Sequence, residues 1–218
     1  MATQKENSEI KAVFFCFAVA VLILLSGAYY LNITTAHYPS QLYYFMWSGF
    51  AVLAMLVPLL IMFNHCGNIP VFISTSLKDS LVIGLVGIVI IWFVSVIYAI
   101  LLTGLKSDDP FTQTTINLPF PYFQLQGLFI VGIGPVLEEL LMRGYFFEIL
   151  RKKWNVVIAL LITLVFSTIL HFRFDVGVID ILIMQTIFTF LYLHGGILSS
   201  TLAHALGNYY IVYFVNID

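Results

Sequence analysis

The chain has 218 residues, of which 61% are hydrophobic and only 9% are charged, and its mean hydropathy is +1.02. Soluble domains carry about a quarter charged residues, so this composition indicates an integral membrane protein. The net charge of -2 excludes the strongly basic surface that a nucleic-acid partner requires. The two cysteines, Cys16 in the first apolar stretch and Cys66 in an expected loop, lack zinc-ligand spacing and predict no disulfide framework.

Apolar stretches follow one another along the chain, and a helix needs about twenty such residues to cross a hydrocarbon core of roughly 30 Å. They lie near 12–32, 42–63, 80–104, 122–149, 154–171, 178–194 and 196–215. The connections between them are short, so no soluble domain is expected. The predicted fold is all-α, a polytopic integral membrane helical bundle of about seven transmembrane helices. Residues 1–110 would supply N-terminal transmembrane helices, and residues 111–218 the helical core that carries the chemistry.

The first stretch is predicted to be a retained span, because it is longer than the apolar part of a signal peptide and lacks an A-x-A-like cleavage site. Basic residues predict the orientation. One side of the bundle would hold Lys5, Lys11, Lys78, Arg151, Lys152 and Lys153, and the other Lys106 and Arg173. The positive-inside rule then places the N-terminus in the cytoplasm.

The pair Glu138-Glu139 lies in the middle of the fourth apolar stretch. A carboxylate at membrane depth costs at least a few kcal/mol, so such residues normally face a bundle interior or a water-filled cavity and mark function. Pro135 is expected to restart a helix and to place both carboxylates near its positive N-terminal end. A broken helix would indicate an internal cavity. The alternative is a proline kink with a structural ion pair.

The two glutamates have different partners at helical spacing. Glu139 and Arg143 are four residues apart with the acid first, the favourable order for an ion pair on one helix. We therefore expect both to be structural. Glu138 lies about 100° further around the helix and has Met142 at i+4. It is predicted to have no basic partner at i+4 and to be available for chemistry.

Two later stretches add imidazole groups. His171 ends the fifth stretch, where a lone histidine is more often an interfacial residue than a catalytic one. His204 and Asn208 are four residues apart in the seventh stretch and share a helix face. By themselves they would form hydrogen bonds between helices. Their depths, counted from the expected loop 151–153 at about 1.5 Å per residue, permit Glu138, His171 and His204 to share one cavity.

These motifs, in this order, resemble those of the CPBP family, the CAAX proteases and bacteriocin-processing enzymes also called the Abi family. The motifs are Glu138-Glu139-x-x-x-Arg143, His171 and His204-x-x-x-Asn208. The first and third match in full. The second usually has phenylalanine four residues before its histidine, whereas Ser167 stands there and Phe166 lies one residue earlier. The resemblance covers roughly residues 120 to 212.

The resemblance implies an intramembrane endopeptidase acting on a membrane-associated or lipid-modified peptide, of CAAX-like or of bacteriocin or pheromone type. Glu138, helped by His171, would activate the attacking water. His204 and Asn208 would donate hydrogen bonds to the oxyanion that develops on the scissile carbonyl. No metal ion or other cofactor is expected. Glutamate with two histidines is also a zinc ligand set, so a zinc-bound water is the alternative.

Two other classes of protein are alternatives. A non-catalytic membrane protein of the same fold, acting in bacteriocin immunity or as a regulatory partner, would not need to keep these motifs together. A small transporter would need internal repeats or paired broken helices, and the sequence shows neither. The expected partners are a peptide or lipidated peptide substrate and membrane lipid, with no nucleic acid. A short chain of this type is more typical of bacteria, so the expected location is the bacterial plasma membrane.

Overall fold

The computed structural model describes residues 4–34, 40–67, 76–102, 127–171 and 177–210, and within these ranges the chain is all-helical, as predicted. The helices are α1 (Gln4–Thr34), α2 (Ser40–Cys66), α3 (Leu77–Leu102), α4 (128–153), α5 (Val156–Leu170) and α6 (Gly177–Tyr210). Lys106, Arg173 and the predicted boundary at residue 110 lie outside the described residues. Cys66 ends α2 and residues 151–153 end α4, where loops were expected.

Four helical segments are long and apolar enough to cross a membrane: Lys5–Ile33, Met46–Cys66, Leu77–Ile97 and Val178–Tyr210. Helix α5 is apolar but has only 15 residues. The outer surface of the bundle is also apolar, since Phe15, Leu22 and Val89 are 59%, 62% and 64% exposed. Large exposed apolar surfaces of this kind fit contact with lipid. The protein is therefore an integral membrane protein, and the count of about seven spans stays a prediction.

Helix α6 consists of two antiparallel arms. Gly196 has φ 78° and ψ -174°, a conformation that is essentially restricted to glycine. A Cβ atom placed on Gly87 of α3 would lie within 3.2 Å of side-chain atoms of both Leu191 and Ala203. Along a straight helix these two residues would be ~18 Å apart, so the chain must reverse at Gly196. The predicted boundary between the sixth and seventh stretches lies at this reversal.

Helix α3 packs closely against both arms of α6 through small residues. Ser199 Oγ donates a hydrogen bond of 2.9 Å to the carbonyl oxygen of Ser80. A Cβ atom on Gly84 would lie 3.0 Å from the side chain of Leu202. Small residues permit this approach, which is how helices associate in lipid, where burial from water no longer drives packing. The arms of α6 are thereby held in a fixed position beside α4.

Helix α4 is continuous but changes its hydrogen-bond register. Its segments are a π-helix Leu128–Ile133, an α-helix Gly134–Glu139, a π-helix Leu140–Phe147 and an α-helix Glu148–Lys153. An α-helical segment does begin at Gly134 with Pro135 in its first turn, as predicted. The expected break before it is absent, because Ile133 (φ -70°, ψ -44°) and Gly134 (φ -56°, ψ -57°) keep helical dihedral angles. The wider π turn before Pro135 accommodates the proline without a break. π segments often lie at functional sites.

The C-terminal half of α4 forms the centre of the bundle. Residues 141–150 are all buried. The ring of Phe146 meets that of Phe166 on α5 edge to face at 5.9 Å, and Phe166 stacks on Phe17 of α1 at 3.8 Å. Phe166, one position from the expected site of the family's phenylalanine, therefore fixes α5 against α1 and α4.

Candidate active site

Glu139 lies at the centre of a buried polar network. Its side chain is fully buried, and Oε1 accepts a hydrogen bond from Arg143 Nη1 at 2.9 Å. His204 Nδ1 lies 2.9 Å from the same oxygen. Because an ionised carboxylate can only accept, Nδ1 must be the donor. The ion pair indicated by the spacing is present, and His204 joins it from the second arm of α6.

Gln185, on the first arm of α6, links the two glutamates. Its Nε2 donates to Glu138 Oε1 at 2.7 Å. Its side-chain oxygen accepts from Arg143 Nη2, which also donates to the Gln185 backbone oxygen at 3.1 Å. The structure shows no direct ion pair of Glu138 with a described residue, and the neutral amide of Gln185 connects it to Arg143. Sequence reasoning missed Gln185. Its signal was a single carboxamide in an apolar stretch, a group that membrane helices bury only against polar partners.

Phe188 packs against two members of the network. Its ring stacks on the imidazole of His204 with centroids 4.4 Å apart and planes at 16°. The guanidinium carbon of Arg143 lies 5.6 Å from the centre of the same ring. A cation at this distance from an aromatic ring is stabilised by the ring's quadrupole. Phe188 thus fixes the orientation of His204 and Arg143 at once.

Asn208 completes the hydrogen bonding of α4. In the π register, the Gly134 N–H donates to the carbonyl oxygen of Phe129. The next carbonyl, that of Ile130, would pair with residue 135, which is proline and has no N–H. Asn208 Nδ2 donates to this Ile130 oxygen at 2.9 Å. The carboxamide of Asn208 therefore replaces the donor that Pro135 cannot supply.

His171 lies at the end of α5 and is exposed. Its Nδ1 is 2.8 Å from the carbonyl oxygen of Ser167, which can only accept, so Nδ1 carries the hydrogen. The neutral imidazole then presents Nε2 as an acceptor. When protonated, His171 and His204 would both be within electrostatic range of the Glu138 carboxylate. His171 is thus oriented by its own helix.

The zinc alternative requires three ligand side chains around one point. Among the residues that the structure describes, no group of three or more His, Cys, Asp or Glu side chains is arranged to hold a metal ion. His204 directs Nδ1 to Glu139, and His171 directs Nδ1 to a backbone carbonyl. The described part of the chain therefore offers no ligand cluster in support of zinc, and a reaction without a cofactor stays a prediction.

Comparison with known protein families gives a match over residues 120–210 with the family described as type II CAAX prenyl endopeptidase Rce1-like. No curated protein and no solved structure matches the chain. The matched range contains α4, α5 and α6, and with them the whole polar network described above. The resemblance drawn from the motifs is confirmed for residues 120–210, the part of the chain that matches the Rce1-like type II CAAX prenyl endopeptidase family.

Proposed function

We propose that the protein is an intramembrane endopeptidase that hydrolyses a peptide bond in a membrane-associated or lipid-modified peptide, of CAAX-like or of bacteriocin or pheromone type. The observation that carries the proposal is a continuous buried network of Glu138, Gln185, Arg143, Glu139 and His204. It joins two carboxylates, a cation and an imidazole inside an apolar bundle. Buried charges of this kind contribute little to the stability of a bundle, because removing them from water costs about as much as their attraction returns.

Glu138 is the proposed base. It is 8% exposed, whereas Glu139 is 0% exposed, so Glu138 is the more accessible of the two carboxylates. Gln185 occupies its Oε1, and no described residue donates to Oε2. A water bound at Oε2 could lose a proton to Glu138 while His171 Nε2 accepts its second hydrogen bond. A base of this kind must lie about 2.6–3.2 Å from the heavy atom that carries the proton it removes, or act through one water.

In the proposed reaction the water oxygen adds to the scissile carbonyl carbon as its proton passes to Glu138. The C–N bond then breaks, and the same proton goes from Glu138 to the leaving amine. No covalent intermediate forms. Glu138 thus acts as base and then as acid, which a positioned carboxyl group can do.

His204 and Asn208 are the proposed oxyanion donors. Because His204 Nδ1 donates to Glu139, Nε2 can donate only when the ring is an imidazolium, and the Glu139 carboxylate stabilises that charge. Asn208 Nδ2 carries a second hydrogen besides the one on the Ile130 oxygen. One preorganised donor of this kind is worth about 2.7–4 kcal/mol of transition-state stabilisation. Glu139 would therefore serve the reaction through His204.

The test compares the same chemical change at two buried carboxylates of α4. Glu138→Gln should abolish cleavage of a quenched fluorescent peptide in proteoliposomes, with a melting temperature near wild type. Glu148 is also buried but bonds Tyr192 and Arg151 outside the network, so Glu148→Gln should keep the activity per folded molecule. Near-normal cleavage by Glu138→Gln would end the proposal for the base. A wild-type protein that cleaves neither a prenylated nor an unmodified peptide would favour the non-catalytic alternative.

The cytoplasmic placement of the N-terminus, in a bacterial plasma membrane, is also proposed. One recess is lined by residues from the start of α1 and the end of α4, among them Lys5, Lys152 and Lys153. Ser8 on α1 and His65 at the end of α2 are hydrogen-bonded at 3.2 Å. Three helix ends with their basic residues thus lie together, which supports a common cytoplasmic side. Reporter fusions at the N-terminus would test this, and a periplasmic readout would contradict it.

A further inference from the structure

The geometry points to Gln185 as a positioning residue for the proposed base, an inference that rests on the proposed function of Glu138. Gln185 is 5% exposed and donates from Nε2 to Glu138 Oε1 at 2.7 Å. It does not touch the atom of Glu138 that would bind water. Its effect on the reaction would therefore pass through the carboxylate.

The orientation of the Gln185 amide is fixed by the charges on either side. Its oxygen accepts from the Arg143 guanidinium, and its nitrogen donates to the Glu138 carboxylate. A flipped amide would turn N–H groups towards a cation and an oxygen towards an anion, and both contacts would be repulsive. Arg143 Nη2 also holds the backbone oxygen of Gln185 at 3.1 Å. The amide thus has one stable orientation, with its donor towards Glu138.

This contact determines where the free oxygen of Glu138 points. A glutamate side chain has three rotatable bonds, and without a partner its carboxylate would sample several rotamers. With Oε1 held by Gln185, Oε2 has a defined direction. Misplacement of a reacting group by about 1 Å can cost on the order of a hundredfold in rate. Loss of the Gln185 donor should therefore lower kcat by about tenfold to a hundredfold and leave KM nearly unchanged.

The competing explanation is that Gln185 only joins α4 to α6 by a buried hydrogen bond, as polar residues in membrane helices commonly do. That role predicts a lower melting temperature with a normal kcat per folded molecule. A positioning role predicts a lower kcat per folded molecule even where the melting temperature is retained. Dividing the apparent kcat of each variant by its folded fraction distinguishes the structural role from the positioning role.

The experiment uses the full-length protein in proteoliposomes, with a peptide that the wild type cleaves. Gln185→Met keeps the length of the side chain and removes both polar atoms. Gln185→Asn keeps the amide but shortens the side chain by one methylene. It provides a second test if Gln185→Met does not fold. Thr163→Val is the control, because Thr163 is a buried polar residue of α5 that bonds only its own helix. We expect both Gln185 variants to lose kcat and the control to keep it.

A cycle with Glu138→Asp tests whether Gln185 acts through Glu138. The shorter aspartate does not reach the amide. The double variant Glu138→Asp/Gln185→Met should therefore have a kcat less than threefold below that of Glu138→Asp alone. An equal loss in both backgrounds would overturn the inference. The inference would also be overturned if the Gln185 variants kept kcat within threefold of wild type while Glu138→Gln was inactive. That result would leave the proposed function intact. An active Glu138→Gln would instead defeat the proposed function itself.

Discussion

Removal of the Arg143 charge should be the most destabilising single change in the network. Arg143 is 2% exposed, and its Nη1 donates to Glu139 Oε1 at 2.9 Å. Nη2 donates to the backbone and side-chain oxygens of Gln185. Arg143→Met keeps a long apolar side chain and removes all of these donors. The fully buried Glu139 would then keep its charge with His204 as its remaining hydrogen-bond donor among the described residues.

The expected loss can be worked out from the burial of the pair. Breaking a buried ion pair by removal of one partner costs about 3–5 kcal/mol, because the other charge stays desolvated. At about 1.4 kcal/mol for each factor of ten, the unfolding equilibrium should shift by roughly two to three and a half orders of magnitude. Glu139→Gln should cost less, about 1–3 kcal/mol, since an amide oxygen can still accept from Arg143.

Equilibrium unfolding in detergent micelles measures both variants and their combination. The double variant Glu139→Gln/Arg143→Met removes both charges, so its loss should be smaller than the sum of the two single losses. If the double loss equalled that sum, the two charges would not be coupled in the folded protein. Single variants as stable as the wild type would refute the reasoning altogether.

Three further results are expected. Gly196→Ala should lower the free energy of unfolding by about 1–3 kcal/mol, because φ is 78° there. The helical control Gly49→Ala should cost nothing, because its added Cβ meets nothing within 4 Å. Equal melting temperatures of the two variants would contradict a strained reversal. Asn208→Ala should cost about 1–3 kcal/mol, because the Ile130 carbonyl loses its donor; wild-type stability by thermal melting would contradict this contact. Activity should survive prolonged chelation, because Glu138 rather than a metal activates the proposed water; stoichiometric zinc in a metal analysis, with reversible loss of activity on its removal, would overturn this choice.

Local features of the sequence were readable from spacing. The ion pair of Glu139 and Arg143 follows from four residues on one helix, a geometry that does not depend on the rest of the fold. The reversal at Gly196 could be placed because two apolar stretches meet there. The order of the motifs was enough to predict the resemblance to the family that residues 120–210 match. Composition likewise indicated a membrane protein, since the chain has far too few charged residues for a soluble surface.

The surroundings of Pro135 depend on a residue that is distant in sequence. Pro135 predicted a new helix because proline removes a backbone donor and clashes with the preceding turn. An α segment does begin at Gly134, but a π segment leads into it without a break, and Asn208, 78 residues from Ile130, supplies the missing donor. A residue that is distant in sequence thus stabilises an arrangement that the proline by itself would disfavour.

The contacts that organise the candidate site were decided by the tertiary structure. Glu138 and Gln185 are 47 residues apart, and Glu139 and His204 are 65 apart. Spacing along a helix shows which side chains share a face, but it does not show which face of another helix lies opposite. That choice depends on how α3 packs against the two arms of α6 and on the hairpin turn at Gly196. The sequence therefore determined the chemical groups and their helices, whereas the packing of those helices determined that Gln185 holds Glu138 and that His204 binds Glu139.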